Sequence, residues 1–198
     1  MPKRRSKILR ETKETKIKIV LNIDGCGKSK ISTGIPFLDH MLTSLAKHGL
    51  LDLQVKAKGD LAVDIHHTNE DIGISLGKAF AKALDKKTGI QRFGFSSVPM
   101  DDTLVRITLD FSGRPAFNVI QNKGVKFTRM ETYSFHDATE FLRAFSQNSE
   151  INLFVEIVSG QDTHHIIEAT FKALAKALEM ATRRNPRIKG VPSTKGTL

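Results

Sequence analysis

The chain has 198 residues, 39% hydrophobic and 26% charged, enough apolar material for a soluble domain with its own core. Its net charge of +10, from 31 Lys and Arg against 21 Asp and Glu, points to an anionic partner. The basic clusters Lys3-Arg4-Arg5 and Arg183-Arg184 through Lys195 carry no interleaved aromatics, so base-stacking platforms for nucleic acid are not expected.

No apolar run is long enough for a membrane span. Met1 to Arg10 lacks the apolar stretch of a secretory signal. A single cysteine, Cys26, excludes an internal disulfide and fits a reducing, cytoplasmic location.

Lys16 to Ile23 alternates, with Ile17, Ile19, Leu21 and Ile23 on one face, which predicts a half-buried strand. Gly25 and Gly27 mark a turn, and Lys28 to Ser32 is expected to return as the hairpin partner. Pro36 suits the first turn of a helix. Phe37, Leu38, Met41, Leu42 and Leu45 form its apolar stripe, closed by Gly49. Leu51 to Ala57 alternates again, Gly59-Asp60 turns the chain, and His67 to Leu84 reads as a second helix that Gly89 follows.

The same order then recurs. Thr103 to Phe111 is a strand, Ser112-Gly113-Arg114-Pro115 a turn, and Ala116 to Ile120 is expected to pair back. Thr139 to Phe145 belongs to a helix, Ile151 to Val158 to a strand, and Thr163 to Ala181 to a long helix. The expectation is an α+β fold of two half-domains, each a mostly antiparallel sheet with two helices on one face. One unit spans 1–198, with pseudo-repeats at about 10–95 and 96–182 and a basic tail at 183–198.

The chemistry lies at equivalent points of these halves. His66-His67-Thr68-Asn69-Glu70 and His164-His165-Ile166-Ile167-Glu168 superpose at a shift of 98, and Leu38 to Leu42 falls on Ala138 to Leu142 at a shift of 100. His40 is therefore matched by Glu140. Imidazole nitrogen with carboxylate oxygen is a ligand set for divalent metals. On a helix, residues three apart face one way while adjacent residues diverge by about 100°. Each His pair therefore suits two ions better than one, and a binuclear site follows. Asp71 either orients a ligand or merely places charge near a helix N-terminus. His48, two turns after His40, either reaches the site or caps its helix.

Phe37-Leu38-Asp39-His40-Met41-Leu42, His66-His67-Thr68-x-Glu70-Asp71, His164-His165-Ile166-Ile167-Glu168-Ala169 and the ending Pro192-Ser193-Thr194-Lys195-Gly196 together resemble the imidazoleglycerol-phosphate dehydratase family, from about Arg10 to Leu198. The resemblance implies the loss of water from imidazole glycerol phosphate to give imidazole acetol phosphate, in histidine biosynthesis. It implies two Mn2+ ions per subunit and a homo-oligomer of twenty-four subunits with sites at subunit contacts. The resemblance implies a small phosphorylated substrate as partner, with neither nucleic acid nor membrane expected.

Carried over by motif, one ion takes His40, His67, Glu70 and His164, and the other takes His66, His165, Glu168 and position 140. The family pattern has histidine at that position. Here Glu140 stands there, a harder ligand favouring Mn2+ or Mg2+, with His136 one turn earlier as the alternative.

The resemblance assigns substrate binding to Arg92, Arg114, Ser193, Thr194 and Lys195, with Lys172 and His48 further candidates. Glu14, His40, His66, His67, Glu70 and His164 are also expected to bind substrate. Glu14 is the candidate acid/base, and Glu70 and Glu168 complete the catalytic set. Two metals holding the substrate's imidazole as imidazolate would let the ring expel the neighbouring hydroxyl, with a general acid and a general base moving the protons. A metal-binding protein without catalysis is the alternative, though it gives no role to the Ser193-Thr194-Lys195 ending.

Overall fold

The structure, a computed structural model, describes residues 4–198, so Lys3 of the first basic cluster lies outside the described residues. In the first half, strands β1 (Arg5–Glu11), β2 (Thr15–Asn22), β3 (Ser29–Ser32) and β4 (Asp52–Gly59) accompany helices α1 (Pro36–His48) and α2 (His66–Leu84). The second half repeats this with β5 (Phe93–Met100), β6 (Thr103–Asp110), β7 (Ala116–Gln121), α3 (Phe135–Ser149), β8 (Asn152–Ser159) and α4 (Thr163–Thr182). The two four-stranded sheets have matching orders, β1-β2-β4-β3 and β5-β6-β8-β7. In each, the fourth strand is parallel to its neighbour and the other pairings are antiparallel.

Two strand pairings differ from the sequence expectation. Ser29–Ser32 does not return on β2, because β1 and β4 already occupy both edges of that strand. It lies instead parallel to β4, with Ser29 opposite Leu53. The turn before it is tied to the start of β4, where the Asp52 carboxylate accepts from the Cys26 and Lys28 amides at 2.9 and 3.2 Å. Those bonds hold the Asp52 pKa down at about 2. Likewise, Ala116–Gln121 pairs parallel with β8 and not with β6.

The edge strands β1 and β5 had no alternating signal. In β1 the buried position is a serine, whose hydroxyl donates to the Ala79 carbonyl at 2.7 Å. In β5, Gly94 and Pro99 interrupt the pattern. Proline is tolerated because β5 is an edge, and glycine is needed because a Cβ there would sit 2.0 Å from the Ala177 carbonyl.

The inner face of β2, Ile17, Ile19 and Leu21, is buried as its alternation predicts. Helix α2 packs on β1 and β2, and α4 on β5 and β6. The halves then join through helices, α2 against α3 and α1 against α4, with Phe80 edge-on to Phe145 at 5.4 Å between ring centroids. The chain's first described residue closes the ring of contacts: Arg4 grips Asp24 with a guanidinium nitrogen 3.0 Å from its carboxylate and reaches the Thr182 carbonyl at the end of α4.

Gly73 and Gly77 let α2 and α3 approach closely, since a Cβ at either would lie 2.7 Å from a carbonyl oxygen, of Phe141 or Phe145 respectively. Exchanging a helical glycine for alanine ordinarily stabilises by about 1 kcal/mol. At Gly77 the clash is with rigid helix backbone, and overpacking costs roughly 1–3 kcal/mol. Gly77→Ala is therefore expected to lower stability, read as a fall in the denaturation midpoint; a gain would mean that α2 and α3 can separate freely.

Candidate metal and substrate site

The packing of α1 on α4 brings a ligand from each half together. His40, on the exposed side of α1, faces the first two turns of α4, which carry the exposed His164 and the buried Glu168. The Glu168 Oε2 lies 3.4 Å from His40 Nε2 and 3.3 Å from His164 Nε2. Ligand atoms of these three residues all lie within 4.8 Å of one another, the one such group among the described residues. Asp162 caps α4 by accepting from the His164 amide at 2.7 Å, which fixes where that turn begins. Phe37 packs edge-on against the His164 ring at 5.0 Å between centroids.

Glu168 is a charged acceptor. Burial disfavours its ionised form, but the Lys172 ammonium, 2.8 Å from Oε1, and the neighbouring His40 outweigh that and hold its pKa below the usual carboxylate value. One oxygen is thus taken by Lys172 and the other is turned to the two imidazoles. Two imidazole nitrogens and an ionised carboxylate are a donor set that fits a divalent first-row cation, with open positions on the exposed side.

The other candidates lie elsewhere on the chain. On α2, His67 Nδ1 is 3.0 Å from Asp60 Oδ2 and 3.7 Å from Glu14 Oε2. The hydrogen bond to Asp60 and then the charge of Glu14 raise the His67 pKa. His66 and Glu70 are partly exposed on the same turn. On α4, His165 Nε2 is 3.5 Å from Asp101 Oδ2, and its buried Nδ1 has no hydrogen-bond partner. The paired rings diverge as adjacent helical residues should: centroids are 6.1 Å apart for His66 and His67 and 6.0 Å for His164 and His165.

Within a single chain, Glu168 accordingly stands with His40 and His164, not with His165. The helix accounts for this, since residues four apart diverge by only about 40° and those three apart by about 60°. Glu140 is half-buried and meets Arg143 at 3.3 Å, while His136 is exposed at the start of α3.

Arg92 has a left-handed backbone, with φ at 72°, and its guanidinium is largely committed. It grips Asp110 with two nitrogens at 2.7 and 3.0 Å and donates to the Pro192 carbonyl at 2.9 Å. It therefore anchors the tail that carries Ser193, Thr194 and Lys195. The hydroxyl of Ser193 accepts from the Lys195 amide at 3.2 Å, and Thr194 and Lys195 are exposed. Arg114 is exposed in the β6–β7 turn. His48 closes α1 beside α4, where burial and the charges of Lys172 and Lys176 lower its pKa.

Sequence reasoning missed Asp60, Asp101 and Asp102. For Asp101 and Asp102 the signal lay in the repeat: the β1–β2 turn carries Glu14 and the β5–β6 turn carries Asp101 and Asp102, each facing the second histidine of its half. Asp60, in the β4–α2 loop, carried no such signal.

The profile of the family described as imidazoleglycerol-phosphate dehydratase matches residues 33–178. The imidazoleglycerol-phosphate dehydratase of Thermoanaerobacter pseudethanolicus is 52% identical over 195 residues, covering 98% of this chain and 100% of that one. That of Prochlorococcus marinus is 50% identical over 196 residues, covering 98% and 96%. Among solved structures, the Staphylococcus aureus imidazoleglycerol-phosphate dehydratase superposes with a TM-score of 0.79 at 34% identity, covering 91% of this chain and 99% of that chain. The enzyme of Pyrococcus furiosus superposes with a TM-score of 0.82 at 36% identity, covering 96% and 100%. Sequence over nearly the whole length and fold over both halves agree: the chain belongs to the imidazoleglycerol-phosphate dehydratase family.

Proposed function

We propose that this chain removes water from imidazole glycerol phosphate to give imidazole acetol phosphate in L-histidine biosynthesis, with two Mn2+ ions held by His40, His66, His67, Glu70, Glu140, His164, His165 and Glu168. The observation that carries the metal reading is the convergence of His40, His164 and Glu168 across the two halves, in a chain of this family. Bound ions of this kind lower the pKa of a coordinated imidazole and stabilise the ring as an anion.

The chain's own groups supply the rest. Glu14, exposed on the β1–β2 turn and 3.7 Å from His67, is placed to exchange a proton with substrate next to that ring. Lys172 keeps Glu168 ionised and turned toward His40 and His164. Ser193, Thr194 and Lys195, on the tail hooked by Arg92, offer the hydroxyls and ammonium that a phosphate needs, and Arg114 a guanidinium. Because His66, His67 and Glu70 lie apart from the His40 cluster within one chain, neighbouring copies would complete each site, in a homo-oligomer of twenty-four subunits. Among the described residues no helix is long and apolar enough to cross a membrane.

Stripping Mn2+ from the purified protein and restoring it should abolish and return turnover, with about two ions per chain. Bound metal without any turnover of imidazole glycerol phosphate would leave a metal-binding protein without catalysis, and about one active ion per chain would remove Glu140 as a ligand. Lys195→Ala is expected to raise KM severalfold with kcat little changed, because a phosphate contact persists from ground state to transition state. Steady-state kinetics decide this, and an unaltered KM would take Lys195 out of the site.

A further inference from the structure

We infer that Asp71 is a positioning residue that holds the Glu14 turn in place, by tying both strands of its hairpin to the helix that carries His66, His67 and Glu70. The inference deepens the proposed dehydratase reading and rests on Glu14 as its proton-transfer group.

Asp71 is buried in the second turn of α2, and both of its oxygens are spoken for. Arg10, near the end of β1, places Nε and Nη2 at 2.9 and 2.7 Å from Oδ1. Thr15, the first residue of β2, donates its hydroxyl to Oδ2 at 2.5 Å. These two residues bracket the turn. Between them, the Thr12 hydroxyl accepts from the Glu14 and Thr15 amides at 3.2 and 2.9 Å, and the Thr12 amide donates to the Thr15 carbonyl at 2.9 Å. Glu14 thus sits on a short closed loop whose two ends are bonded to one carboxylate. That carboxylate is four residues along the helix from His67, the ring that Glu14 faces.

A carboxylate placed only to meet a helix dipole has no reason to aim both oxygens at neighbouring strands. The pairing of a charged guanidinium and a buried hydroxyl is a fixed geometry, because breaking either contact leaves a buried polar group unpaired.

The second half lacks this device. Strand register places Val98 where Arg10 stands, since Arg10 is opposite Ile17 and Val98 is opposite Val105. Helix register places Ala169 at the position of Asp71. The hydroxyl of Thr103, the counterpart of Thr15, donates to the neighbouring Asp102 at 3.5 Å. The β5–β6 turn with Asp101 and Asp102 is therefore not clamped to α4 in this way. The second half holds its turn by other means: the Asp102 carboxylate accepts from the Gln161 amide and the Asp102 carbonyl from the Ser159 hydroxyl, both at 3.1 Å. A helix carboxylate bonded to both strands of the turn is particular to the half that carries Glu14.

The test uses the full chain loaded with Mn2+. It compares wild type with Asp71→Asn, Thr15→Val and Glu14→Gln, and with each of the first two combined with Glu14→Gln. The readouts are kcat, KM, metal content, and amide hydrogen exchange across residues 12–15 in the metal-free protein. Asp71→Asn is expected to lower kcat on the order of 10- to 100-fold, with metal content unchanged and faster exchange at the Glu14 and Thr15 amides. Thr15→Val should do the same more weakly. On the Glu14→Gln background, either change should alter kcat by less than about threefold, because the group being positioned is already gone.

Losses that multiply fully on that background, or metal lost with Asp71→Asn, would overturn the inference and assign Asp71 to supporting Glu70 or the fold. Unchanged exchange at Glu14 in both variants would overturn it whatever the activity. Absence of turnover in wild type would instead sink the dehydratase reading.

Discussion

Close packing of helices from one half against helices from the other is the constraint on which the rest of the molecule depends. Among the described residues neither half brings three ligand atoms together by itself: His40 comes from α1 and His164 and Glu168 from α4, and they meet because α1 lies along α4. The other contact, α2 on α3, is drawn in by Gly73 and Gly77, where backbone meets backbone with no room for a side chain. Burying each half's helices against the other's removes apolar surface that a lone sheet-and-helix layer would leave in water. The same burial that stabilises the fold therefore assembles the His40 cluster.

Charge is arranged around that framework to keep ligands in usable states. Glu168 is buried enough that its ionised form would be disfavoured, yet Lys172 beside it and His40 before it reverse the balance. Asp60 and Glu14 act on His67 in the opposite sense, favouring its protonated form. A divalent cation arriving at that ring would displace a proton. The guanidinium of Arg92, tied to Asp110 and to the Pro192 carbonyl, shows a charged side chain spent on holding a chain segment. The tail it anchors carries three of the residues proposed to meet phosphate.

Duplication explains the regularity of this chain and also its departures. Sheet orders match, strand pairings match, and both second histidines face a carboxylate on the turn between the first two strands of their sheet. The departures are at particular residues. Glu140 stands at the position matched to His40 and pairs with Arg143, and Asp71 and Arg10 in the first half give way to Ala169 and Val98 in the second.

Much of this was legible in the residues alone. The four helices and the inner strands β2, β4, β6 and β8 follow from apolar periodicity, because burying one face imposes a period on the sequence. The paired histidines with their glutamates, and the registration of the halves, are likewise local patterns that survive without coordinates. The partners of β3 and β7 were not legible, because a short strand pairs with whichever edge remains free, and β2 had none. The edge strands β1 and β5 were masked by a serine, a glycine and a proline at positions where an apolar residue would have signalled them. Only the tertiary structure decided that Glu168 stands with His40 and His164, that Asp60 meets His67, and that Asp71 reaches to Arg10 and Thr15. Each of these contacts joins residues distant in the chain or turns on which way a side chain faces, and spacing along a sequence carries neither.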